Sequence, residues 1–280
     1  MEILLKSFLS LLLMVTIACT PSNSAMTKEE KKALAAKKWK IITDQSIALR
    51  QGSPQSMNLL DEIIALDPSH CDAIRERSVP YLKRGIPYKW KEYMDQAVIC
   101  DAKRWQGWRG YLYLFFYRDF KKAVADLNAT DSLTPHFIDN PQGHSVDYWR
   151  GHAYLGMKDY KNSIFYYQKH IDKVVNDYGE NWVEPDAFLN LGIAFFEHGM
   201  LDSVPALLNK ALQYYDNKSA DTKYYWALYE QSQGDREKAL EWVHKAMEDF
   251  KLGHSKERPY NEEIRQVYFE ELEELESLLK

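Results

Sequence analysis

Residues 186–212 read DAFLNLGIAFFEHGMLDSVPALLNKAL, and residues 221–247 read DTKYYWALYEQSQGDREKALEWVHKAM. Laid one on the other, Gly199 meets Gly234 and Ala211 meets Ala246, both at an offset of 35 (234−199 and 246−211). Apolar residues recur at helical spacing in each, as in Leu189, Ile193 and Phe196, or Ala239, Leu240, Val243 and Ala246. That spacing puts them on one stripe of a helix. The glycine near the middle of each segment divides it into two helices. Such a pair cannot bury its stripe alone, so copies must stack on one another.

Leu191-Gly192 and Phe195 carry the spacing L-G-x-x-Y/F, and the segment resembles the tetratricopeptide repeat, whose period is about 34 residues. Residues 144–171 form a third copy. Gly151 stands at the small position of its first helix, Tyr154 at the aromatic one, Ser163 and Tyr167 at the matching places of its second. His170 occupies a place where alanine is expected, a bulk that should loosen packing on the next helix. Residues 104–130, 71–98 and 37–68 read as eroded copies. The resemblance implies an all-α, tetratricopeptide-like solenoid, a right-handed superhelix of antiparallel helix pairs, with about six repeats over 37–254.

Two stretches interrupt the period. Residues 128–147, NATDSLTPHFIDNPQGHSVD, carry two prolines and a glycine and make a long polar connection. Residues 172–184, DKVVNDYGENWVE, lengthen the next interval to 41 (211−170). Connections of this length are often functional. Beyond the repeats, Ile264, Val267, Tyr268, Leu272, Leu275 and Leu279 lie on one stripe, so 255–280 is expected to be a single C-terminal helix, capping the array or docking a partner.

The N-terminus reads as an address. Lys6 precedes the apolar run Phe8–Ala18, too short to span a bilayer, where about 20 residues are needed. Its length suits a signal peptide over 1–18. Thr16-Ile17-Ala18-Cys19 resembles a bacterial lipobox, which implies diacylation (palmitate) of Cys19 as the mature N-terminus. Two other readings stand beside it: an ordinary secretory signal cleaved near Ala25, and an uncleaved anchor. Thr20 is not aspartate, which favours an outer-membrane destination in the cell envelope. Residues 19–36 are small, polar and charged, and are expected to be a flexible tether.

Chemistry is sparse. The formal net charge is −5, without the basic footprint of a nucleic-acid binder. P-loop, dinucleotide, metalloprotease and nucleophile-elbow motifs are absent, so no catalytic residue is assigned and no cofactor is expected. His136 and His144 share the long connection with Asp131 and Asp139, but the spacing matches no metal loop and no metal site is expected. Cys71 opens one helix and Cys100 closes its partner; a disulfide and two free buried thiols both remain open, with catalysis the remotest of the three.

The family binds protein or peptide on its concave face. Carried over residue by residue, the resemblance places Trp105, Trp108, Leu112 and Phe115 there, then Ser145, Tyr148, His152 and Leu155, then Asp186, Leu189, Ile193, Phe196 and Glu197, then Tyr224, Leu228 and Gln231. Trp105, Trp108, Tyr148, His152, Phe196 and Tyr224 are the candidate partner contacts; against this stands the reading that most of these rings simply pack in the helical core. Trp182 could be an exposed contact or a lid under the groove. The expected function is a membrane-anchored interaction scaffold for a peptide or protein. The alternative is a glycan- or nutrient-binding surface lipoprotein, since aromatic platforms stack on sugars.

Overall fold

The computed structural model describes residues 26–44 and 49–280. The signal segment, the lipobox and Cys19 lie outside the described residues. Within them the fold is an all-α solenoid of antiparallel helix pairs, tetratricopeptide-like throughout. Six pairs follow one another: α1 (Lys28–Thr43) with α2 (Pro54–Leu66), α3 (Cys71–Lys83) with α4 (Pro87–Cys100), and α5 (Ala102–Leu112) with α6 (Phe120–Leu133). Then come α7 (Val146–Gly156) with α8 (Tyr160–Tyr178), α9 (Pro185–Glu197) with α10 (Val204–Tyr214), and α11 (Ala220–Ser232) with α12 (Arg236–Lys251). A last helix, α13 (Phe269–Leu279), packs on α12.

Local chemistry sets the helix ends. The turn inside three pairs carries an aspartate that caps the second helix: Asp119 accepts from the Lys122 amide, Asp159 from Asn162 and Asp235 from Lys238. Pro54, Pro87 and Pro185 open helices at the one turn where a missing N–H costs nothing. Gly234 ends α11 with φ of 81°, a left-handed turn that a side chain would strain. Gly151 serves closeness instead: a Cβ there would sit 2.7 Å from the buried Tyr167 ring, so α7 and α8 touch only because it has none.

One apolar core runs from α3 to α11. A smaller one at the N-terminus gathers Ala35, Leu60, Ile63 and Ala73. A third joins Ala227, Ala239 and Val243 to Leu275 and Leu279, so α13 closes the open end of the array. Each fully buried leucine or phenylalanine in these cores contributes about 1.5–3 kcal/mol.

Two expected boundaries move. The tether expected over 19–36 stops short, because α1 already begins at Lys28. Thr27 and Glu30 close a reciprocal capping box, and Ala35 is fully buried in the small core it shares with Leu60, Ile63 and Ala73, so this charged, alanine-rich stretch is the first helix of repeat one. The tail is not one helix from 255 to 280. Residues 255–268 are irregular and only 269–279 are helical. The stripe of Ile264 and Val267 is real, but the concave face, rather than a neighbouring helix, buries Val267.

Cys71 and Cys100 form a disulfide with Cα atoms 5.5 Å apart. It joins the first turn of α3 to the last of α4, the two ends that an antiparallel pair brings together.

Candidate functional site

Two surfaces of the solenoid gather polar and aromatic groups. The first is the concave face, lined by the first helix of each pair. The chain's own residues 255–268 lie in it. Leaving α12, the backbone carbonyl of His254 accepts from the Ala220 amide, and the Lys256 amide donates to Asp221. The strap then reaches repeat three. There the Arg258 guanidinium sits 3.8 Å above the Phe115 ring, meets the Tyr111 hydroxyl, and pairs with Glu263. On the way back Arg265 makes a two-pronged bond to Glu197 (2.5 and 2.6 Å) and donates to the Leu155 carbonyl at 3.1 Å. Arg118 donates to the carbonyls of Glu262 and Glu263 at 2.7 and 3.0 Å.

The local backbone explains that reach. After α5 the chain takes a π-turn over Tyr113–Tyr117 (YLFFY) and leaves it at Arg118 with φ of 52°. The turn presents Phe115 to Arg258 and aims the Arg118 side chain at the strap. Asp221 lies at the foot of the groove; burial pushes its carboxyl up to about 6, against the opposing pull of the Lys256 amide. The groove stays open beside the strap's tip, where a cavity of about 340 Å³ lies between Arg75, Lys83, Trp108 and Tyr260.

The six candidate contacts divide. Trp105, Tyr148 and His152 are buried in the core, and burial pushes the His152 imidazole well down and the Tyr148 phenol well up. Trp108, Phe196 and Tyr224 are half-buried. Of the other carried-over positions, Phe115, Leu155, Asp186 and Glu197 do touch the strap. Arg258, Arg265 and Arg118 went unnoticed in the sequence. Pro259 and the polar run before it were the only available signals that the tail leaves the helix.

The second surface is the edge where each pair connects to the next. Both interruptions of the period meet there, and α8 runs longer than its counterparts to form a wall between them. They enclose a cavity of about 800 Å³. Trp182, Tyr178 and Phe137 stand on its rim, 73%, 70% and 65% exposed. Trp182 is therefore an edge residue and does not lie under the groove. The floor is a chain of hydrogen bonds. His170 Nδ1 meets Ser145 Oγ at 2.9 Å, His170 Nε2 meets Glu184 at 2.9 Å, and His144 Nδ1 reaches the other Glu184 oxygen at 2.7 Å. Burial alone would raise the Glu184 carboxyl; bonds from His144 and His170 outweigh it and hold the group well below the usual range.

His170 thus does not loosen the array. Its imidazole is buried and ties Ser145 in one interruption to Glu184 in the other. His136 and Asp131 line the cavity as well, whereas Asp139 is used in holding the loop, through the Thr134 hydroxyl and the Val146 amide.

No protein-family model and no curated protein matches this chain. Solved structures do resemble it in fold. PilW, a widely conserved type IV pilus biogenesis factor, superposes with a TM-score of 0.58 at 14% identity, over 81% of this chain and 96% of PilW. A tetratricopeptide repeat protein from Parabacteroides merdae gives 0.53 at 15%, over 90% of each chain. YrrB, a TPR protein with an unusual peptide-binding site, gives 0.51 at 18%, over 68% of this chain and 91% of YrrB. At such identities the likeness is one of fold, and the chain is a tetratricopeptide-like solenoid.

Proposed function

We propose that this protein is an interaction scaffold that holds an extended segment of a partner protein on its concave face, anchored to a bacterial envelope membrane through Cys19. One observation carries the binding half of this reading: the face already holds an extended polypeptide, the chain's own residues 255–268. It does so with a repertoire any peptide could use, namely guanidinium groups on backbone carbonyls and carboxylates, and rings beneath cations. The partner's segment enters beside Tyr260, where Trp108 and Arg75 remain accessible to it. YrrB, whose fold is similar, is described by its peptide-binding site.

The anchor rests on the lipobox-like residues Thr16–Cys19. The Cys71–Cys100 bridge suits the oxidising side of a membrane. A photo-crosslinking residue at position 108 or 260 of the full chain tests the groove in cells. The expected result is a discrete protein adduct from both positions, lost when Arg75 is changed to alanine. Adducts from neither position would overturn the assignment. Mass spectrometry of the mature N-terminus tests the anchor: an acylated Cys19 is expected, and an unmodified terminus elsewhere contradicts it.

A further inference from the structure

We infer that the cavity between the two interruptions of the repeat is a saccharide-binding site for a neutral oligosaccharide. It is distinct from the groove and does not rest on the groove's reading. Three observations lead to that chemistry.

The first is the rim. Trp182, Tyr178 and Phe137 come from two separate segments, yet all three are mostly exposed around one opening. Large rings left in water at a single place mark a contact surface. Flat faces of this kind accept the C–H side of a pyranose ring.

The second is charge. The carboxylates at the cavity already have basic or imidazole partners. Asp131 pairs with Arg150 at 2.8 Å, Asp147 with Arg150 and with Lys169 at 3.0 Å, and Asp177 with Lys173 at 2.7 Å. Both oxygens of Glu184 take imidazole nitrogens. A cationic side chain arriving here would compete with a base already in place, and an anion would meet the carboxylates. Among the described residues, the second oxygens of Asp131 and Asp177 accept no hydrogen bond and the Asn140 side-chain amide makes none. What remains is a set of unspent acceptors and donors beside carboxylates that already have partners, the complement of hydroxyl groups.

The third is rigidity. Glu180 is bound by Lys210 and by the Tyr214 hydroxyl at 3.0 Å, which fixes the segment that carries Trp182. The other segment is held by the Trp149 indole N–H on the Pro141 carbonyl at 2.8 Å and by the Val146 amide on Asp139 at 2.9 Å. The His144–Glu184–His170–Ser145 chain then clamps the two together. A preformed cavity of about 800 Å³ has room for two or three sugar rings and spends little binding energy on ordering itself.

The test uses the full chain in detergent against cello-, malto-, xylo- and chito-hexaose at up to millimolar concentration. Calorimetry reads affinity, and saturation-transfer NMR reads which sugar protons touch protein. Binding by at least one of these, with ring C–H protons saturated, is the expected result. Trp182→Ala should weaken it about tenfold, the effect of removing one aromatic anchor, and Phe137→Ala should weaken it less. Both positions are exposed, so both variants fold. Three results overturn the proposal: no binding by any of the four sugars, binding that both substitutions leave unchanged, or Trp182-dependent binding of an arginine-bearing peptide in place of sugar. None of these outcomes bears on crosslinking at positions 108 and 260, so the two readings fail separately.

Discussion

On the concave face, Tyr111 and Glu197 belong to the regular first helices of their repeats, Phe115 to the π-turn that prolongs one of them, and the chain's own tail covers all three. At the connecting edge, Phe137, Tyr178 and Trp182 sit where the period is broken, and they face solvent. The same helix, α7, serves both: Leu155 near its end meets the strap, and Ser145 at its cap meets the edge cavity. Regular repeat positions therefore supply a platform, which this chain uses to seat its own strap. The departures supply an open cavity with fixed chemistry. The two surfaces share a support in α7, and each also has fastenings of its own.

The largest effect is expected at the shared support. Gly151→Ala pushes a methyl to within 2.8 Å of three atoms of a fully buried ring, so α7 and α8 must separate. Overpacking of this kind costs about 1–3 kcal/mol. Both surfaces should loosen together, read as faster hydrogen exchange in the strap and in 134–145 alike. Loosening of one alone would show that α7 does not couple them.

Glu184→Ala comes next and should be confined to the edge. It strips the buried His170 of its acceptor and parts the two interruptions, a loss of about 1–3 kcal/mol for an orphaned buried donor. Exchange should rise at 134–145 and 179–185 and stay unchanged at 255–268. In the wild type, the lowered Glu184 carboxyl adds stability that is present above pH 4.5 and lost as the pH falls below it.

These two sites also differ in how far the sequence revealed them. Gly151 and Tyr167 were legible because the repeat assigns a small and an aromatic residue to those places, and close packing demands that pairing. His170 was legible only as a misfit. Its partners are 25 and 14 residues away (170−145 and 184−170), in segments without periodicity, and only the stacking of repeats four and five joins them. The tail misled for a related reason. Ile264 and Val267 satisfy a helical stripe, but spacing cannot tell a helix that caps a solenoid from a strap that lies in its groove. Three arginines made the choice, and no local pattern records their partners. The start of α1 was hidden differently: charged, alanine-rich sequence forms a good helix yet buries little, so it resembles a tether until Ala35 meets Leu60 and Ile63 of α2.

Arg265→Ala should act on the groove alone. It removes the fork on Glu197 and the bond to the Leu155 carbonyl, and both side chains are partly screened by water, so the cost is about 1 kcal/mol. Limited proteolysis should then cut within 255–268 sooner than in the wild type, with the edge cavity unaffected. A strap as resistant as before would mean that Val267 and Glu263, both buried, hold it without this clamp.

The last effect is the one with an opposite sign. Asp221 at the foot of the groove has its carboxyl raised from 3.8 to about 6, chiefly by burial. Between those values the folded protein holds a proton that the unfolded chain has released. Stability from this group therefore rises as the pH falls from 6 towards 4, and its cost is fully present above 6. The slope cannot exceed about 1.4 kcal/mol per pH unit for one proton. Asp221→Asn keeps an acceptor for the Lys256 amide and removes the titration, so urea midpoints measured from pH 4.5 to 6.5 should vary less than in the wild type. The Glu184→Ala variant should retain the Asp221 slope in that window, because the Glu184 contribution fades only below it. If both substitutions flatten the same interval, the groove and the edge titrate as one site, and the division between them fails.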